Sequence, residues 1–201
     1  MTISTRISAG WLLALVCCLP LLGASMAVRA EFPKTEADFS LLPPYCKVKM
    51  RQPRQSPEWR MWSRRLAGGF NHIHHYCAAL HSINLANRSK RAQRRKELLT
   101  SAYKDMVYVE EHAARNFVLR PEILVKKGKV LERLGKAGEA VTAYQQAIRL
   151  NTKYSPAYIA LADYYKSVGK RDLALDIVEK GIEQAPRSKG LRRRLRELRP
   201  Q

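Results

Sequence analysis

Apolar positions recur in steps of three and four along most of this chain, the spacing of one face of a helix. Trp59, Trp62, Leu66, Phe70, Ile73, Cys77, Leu80 and Asn84 keep that step. They predict a helix from Trp59 to about Asn87, with Gly68-Gly69 as its break point. Leu98, Leu99, Ala102, Met106, Val109 and Ala113 predict a second helix from Gln93 to Ala114, closed by Phe117 to Pro121. Upstream the pattern stops. Pro33, Pro43, Pro44, Pro53 and Pro57 punctuate residues 31–57, which read as a loop-like arm docking through Leu41-Leu42 and Tyr45-Cys46.

The second half repeats itself with a period of 34 residues, Pro121–Tyr154 lying over Ser155–Ser188. Leu124 falls on Tyr158, Gly128 on Ala162, Leu131 on Tyr165 and Gly135 on Gly169. Ala140 falls on Ala174, Tyr144 on Val178, Ala147 on Gly181 and Thr152 on Pro186. Small residues recur where two helices would cross closely, large apolar ones fill between them, and glycine marks the inter-helix turn. Each unit reads as a helical hairpin that cannot bury its apolar faces alone.

This pattern resembles the tetratricopeptide repeat (TPR) family. Tyr158, Leu161-Ala162, Tyr165, Ala174, Gly181 and Pro186 carry the likeness in the second unit. Leu124, Gly128, Leu131, Ala140, Tyr144 and Ala147 carry it in the first, which departs with Lys127 for the usual Leu and Thr152 for the usual Pro. The resemblance implies an all-α, TPR-like array: repeats at 121–154 and 155–188, a degenerate helical hairpin at 58–120, and a basic capping helix at 189–201. It further implies a partner groove along the first helices. By register that groove is lined by Val125, Lys129, Glu132, Arg133, Ile159, Asp163 and Lys166. Some family members clamp a peptide C-terminal carboxylate with Lys, Asn and Arg. Here Lys129 and Ala160 stand at two of the Asn positions, so that clamp is not reproduced. A mixed apolar and basic groove suits a segment of acidic character.

The first thirty residues change the setting. Arg6 supplies a positive n-region, Trp11–Leu19 an apolar core broken by Pro20 and Gly23, and Ala27 and Ala30 end two small-residue cleavage signatures. That order predicts a secretory signal peptide over residues 1–30 and a periplasmic or secreted product. The alternative is an inner-membrane anchor, since residues 7–28 are uncharged and long enough to span a bilayer. Cleavage would remove Cys17 and Cys18 and leave Cys46 and Cys77, which an oxidising compartment would join. Such a bond, with the N-terminal helices, would supply packing that two repeats lack by themselves.

Length and composition set outer bounds. The chain has 201 residues, 46% hydrophobic and 27% charged, which fits a folded domain or short repeat array. Its formal net charge is +20. The excess sits in 51–65, 88–96 and 187–199, the last holding Arg192, Arg193, Arg194 and Arg196. Such a face raises the local concentration of polyanions. Export argues against nucleic acid and toward anionic polysaccharide, lipid headgroups or an acidic protein.

The stretch from Asn71 to Cys77 holds His72, His74 and His75, with His81 following, and imidazoles at such spacing can ligate zinc or copper. His72, His75 and His81 are read as sharing one azimuth, with His74 turned toward Cys77. A disulfide at Cys77 would take its thiolate out of play. No G-x-S-x-G elbow, phosphate loop or haem-attachment motif occurs. The reading is a non-catalytic envelope scaffold that needs no cofactor and binds a protein partner. Its alternatives are a metal- or haem-handling protein built on the histidines, and a basic binder of envelope polyanions.

Overall fold

The computed structural model describes Met1 and residues 31–199. The expected signal segment and the alternative anchor lie outside the described residues, as do the last two residues of the expected cap. Among the described residues there are ten helices and no strand. None of these helices is long and apolar enough to cross a membrane.

Proline starts helices here as well as interrupting them. The 31–57 arm, expected as loop, carries α1 (Glu36–Ser40) and α2 (Pro44–Arg51). A capping box opens α1: Thr35 Oγ1 accepts from the Asp38 backbone N–H at 3.1 Å, and the Asp38 carboxylate accepts from the Thr35 N–H at 2.9 Å. Pro44 and Pro57 occupy the first turns of α2 and α3 (Pro57–Arg65), where a missing N–H costs nothing. Phe39, Leu42, Tyr45, Cys46 and Val48 anchor the arm in the core, whereas Leu41 is half exposed.

The helix expected from Trp59 is two helices. Gly68 takes a left-handed φ of 82°, and its carbonyl accepts from the Ala114 N–H at 2.7 Å. A Cβ on Gly69 would lie 2.4 Å from the Phe117 ring. A left-handed turn and a close approach therefore separate α3 from α4 (Ile73–Arg88). α3 buries no residue fully; Trp59 packs edge-on to Phe70 at 5.1 Å and Trp62 to Tyr45 at 5.5 Å.

Behind this arm, antiparallel hairpins stack in order. α4 pairs with α5 (Ala92–His112), α6 (Arg120–Arg133) with α7 (Ala137–Leu150), and α8 (Ser155–Ser167) with α9 (Arg171–Gln184). α10 (Lys189–Leu198) closes the stack against α8 and α9. The N-terminal helical hairpin is α4 with α5, while α3 packs with the arm. Gly135 and Gly169 turn their hairpins at φ 78° and 76°, a region that favours glycine.

Alanines at 140, 143, 147, 157, 160, 162 and 174 are all buried, which lets the helix axes approach. Polar clips fix the first hairpin to the second. The Tyr76 hydroxyl donates to Glu122 at 2.8 Å, and Lys127 pairs with Glu110 at 2.7 Å. Arg120 donates to the carbonyls of Glu110 and Ala113 at 2.8 and 2.9 Å, satisfying the end of α5.

Candidate functional site

The predicted groove residues fall into three groups. Val125 is 5% exposed and lies in the core with Leu124, Leu131 and Ala140, so it is not a groove position. Glu132 is half-buried and accepts a hydrogen bond from the Tyr144 hydroxyl. Burial, with that contact, drives the Tyr144 hydroxyl pKa far above its ordinary range. Lys129 and Arg133 remain exposed.

The second repeat's contribution is contacted by the chain's own last helix. Arg194 reaches from α10 to Asp163 on α8, with Nε and a terminal nitrogen 2.9 and 2.8 Å from its two carboxylate oxygens. Lys166 pairs with Glu197 at 3.3 Å. Ile159 lies so close under α10 that a Cβ on Gly190 would come within 2.7 Å of its Cδ1. Leu191 and Leu198 are buried beneath α10, and Arg171 donates to the carbonyls of Leu198 and Glu197 at 3.0 and 3.2 Å. A helix register tells which side chains leave the hairpin but not what lies on them. The Ile159, Asp163 and Lys166 face is therefore partly engaged within the molecule, while the Asp163 and Lys166 side chains stay 43% and 46% exposed.

The expected basic patch is divided in the same way. Arg192, Arg193 and Arg196 are exposed on the outer side of α10, with Arg193 3.7 Å from Glu197. Arg194 belongs to the inner side, and the ion pair with Asp163 raises its pKa.

The histidines do not form the predicted set. Nine residues at about 100° each carry His81 to the face opposite His72. His81 is buried, with Asp38 and Arg88 acting on it electrostatically. His72 and His75 instead face α5, where His75, Tyr108 and His112 stack with ring centroids 3.9 Å apart in each step. His75 Nδ1 donates to the buried Asp105 carboxylate at 2.7 Å. Phe32 of the arm lies 6.3 and 6.1 Å from the His74 and His75 rings. Burial lowers the pKa of His72, His74 and His81, and raises that of Asp105. Among the described residues no group of three or more His, Cys, Asp or Glu is placed to hold a metal ion. Cys77 faces Cys46 with Cα atoms 5.6 Å apart, a pairing compatible with the expected disulfide.

Sequence reasoning missed the His75–Asp105 and Tyr76–Glu122 contacts. Their partners lie 30 and 46 residues away, and no spacing rule links such positions.

The family model for the tetratricopeptide repeat matches residues 121–154 and 155–188. Among curated proteins none matches this chain by sequence. Among solved structures the chain is similar to a thermophilic TPR protein of Thermus thermophilus, with a TM-score of 0.57. The likeness covers 76% of this chain and 88% of that one at 23% identity, and it concerns the fold.

Proposed function

We propose that this chain, whose residues 121–188 are two tetratricopeptide repeats, is a non-catalytic binding scaffold exported to the bacterial cell envelope. There it holds a segment of a partner protein. Stacked helical hairpins offer extended binding surfaces, and protein–protein interaction is the general use of such repeats. The observation that carries the reading is the unspent charge on the first repeat. Lys129 and Arg133 stand exposed without an ion-pair partner among the described residues, although Glu132 between them is bonded within the hairpin. The facing cysteines and the sequence of the first thirty residues support export.

Two measurements test this reading. Intact mass of the protein taken from its own cells without reductant should begin near Glu31 or Val28 and be two hydrogens short. A full-length mass with free thiols would overturn export. Panning a random-peptide display library on the full chain should enrich binders that the Lys129→Glu, Arg133→Glu variant no longer retains. Failure to enrich any sequence would overturn the scaffold reading.

The outer side of α10 favours a second reading, in which Arg192, Arg193 and Arg196 bind envelope polyanions. Binding of that kind should collapse with salt and with replacement of these arginines by Gln. Binding unchanged by both would overturn it.

A further inference from the structure

The antiparallel course of α5 and α6 brings the last turn of α6 back to the first turns of α5. A cavity of about 560 Å³ opens at that corner. This is within the size range of pockets that hold small ligands and peptide side chains. Ala92, Leu99 and Leu134 give it apolar walls, and Arg95, Lys96 and Arg133 stand around it. Among the described residues no carboxylate lines it.

The cations differ in what holds them. Arg95 is fixed by donating to the carbonyls of Ser89 and Lys90 at 3.1 and 3.0 Å. Lys96 and Arg133 are exposed and pair with no acid among the described residues. Nearby carboxylates are committed elsewhere: Glu31 and Glu97 meet Arg94, and Glu139 meets Lys136. Three positive charges around an apolar floor, with no counter-charge among its described lining residues, leave a site whose missing partner is anionic and partly apolar.

We infer that this α5–α6 corner is the docking site of an acidic, extended peptide segment carrying at least one aliphatic side chain. The inference rests on the scaffold reading and names the partner's chemistry. Carboxylates of the segment would meet Lys96 and Arg133, with Arg95 held in place as the third donor. An aliphatic side chain would cover the exposed Ala92 and the half-buried Leu134, over the buried Leu99. A bare polyanion uses only the rim of such a site; a peptide uses the rim and the floor, and the floor decides for the peptide. Arg133, expected on the groove of the repeats, serves this corner.

Fluorescence anisotropy on the full chain tests the site, with a fluorescein-labelled, glutamate-rich peptide of about ten residues and a central leucine pair as probe. Lys96→Glu with Arg133→Glu should weaken binding by about tenfold or more. Ala92→Phe, which keeps every charge but narrows the floor, should weaken it by about fivefold. Arg192→Glu with Arg193→Glu should change it by less than about twofold, because those side chains lie on the far helix. Every altered position is exposed, and an unchanged circular-dichroism melt confirms that each variant folds.

Equal losses in the two charge variants, or no effect of Ala92→Phe, would show diffuse attraction and overturn the site. Absence of binding by the unaltered chain would overturn it as well. Phosphatidylglycerol vesicles that bind through Lys96 and Arg133 where the peptide does not would replace the peptide with a lipid surface. If the display library enriches binders insensitive to Lys96 and Arg133, the scaffold reading stands and this site falls. If neither library nor probe yields binding, both fall.

Discussion

Arg194 on α10 holds both carboxylate oxygens of Asp163 on α8, at 2.9 and 2.8 Å. A bidentate guanidinium–carboxylate contact fixes orientation as well as distance. It sits at the middle of a helix whose apolar side, Leu191 and Leu198, is already buried. α10 therefore packs on α8 and α9 in the place that a further hairpin of the stack would take.

Removing that grip should loosen the cap and leave the repeats intact. Arg194→Ala should cost about 1 kcal/mol, since the Asp163 side chain is 43% exposed and solvent screens the pair. Hydrogen exchange should speed up in α10 and not at Leu161 in the core of α8. Leu191→Ala, which empties a fully buried site, should cost about 2–4 kcal/mol by chemical denaturation and speed exchange in both helices.

Two glycines should answer to alanine with opposite signs. A Cβ on Gly128 would lie 2.3 Å from the ring of the buried Tyr144, so the crossing of α6 and α7 would have to open. Overpacking of that kind costs about 1–3 kcal/mol and exceeds the helix-propensity gain of about 1 kcal/mol. A Cβ on Gly138 would meet nothing within 4 Å. Gly138→Ala should then stabilise by about 0.5–1 kcal/mol, again read from the denaturation midpoint.

The same contrast shows what sequence can convey. The repeat was legible because Gly128, Ala140, Tyr144 and Ala147 are matched 34 residues on by Ala162, Ala174, Val178 and Gly181, small for small and large for large, and those offsets are the crossing points of packed helices. The arm helices were not legible. Pro44 reads as a breaker wherever it stands, and only the fold shows it in a first turn. Register brought Lys129 and Arg133 to the surface, but it could not place Arg194 over Asp163, 31 residues away. His81 leaves the His72 face because nine residues make two and a half turns of helix, about 180° beyond a whole number.

Cys46 and Cys77 are fully buried, 31 residues apart in sequence. Joined, they would tie the arm to α4 and shorten the unfolded chain's freedom by about 3–4 kcal/mol in the chain-entropy account. Replacing both with Ser should lower the melting temperature by about 10 °C. Thiol titration of the untreated protein should find no reactive cysteine in the mature chain until it is unfolded in the presence of reductant. Two thiols titrating on unfolding without reductant would show that the pair is not bonded.

Acid should weaken the fold earlier than carboxylate protonation alone would. Burial is the leading cause that lowers His72, His74 and His81 below the ordinary value of 6.5, with His75 and Lys49 adding repulsion at His74. The unfolded chain then binds these protons before the folded one does. Their contribution is fully present above about pH 6.5 and falls as pH drops toward the folded values. Asp105 runs the other way, because its raised pKa lets the folded chain take up a proton first, and it regains stability at lower pH. Denaturation midpoints should therefore decline between pH 7 and pH 5, and the slope should flatten there in a His74→Gln, His81→Gln variant. An unaltered slope in that variant would assign the acid sensitivity to other groups.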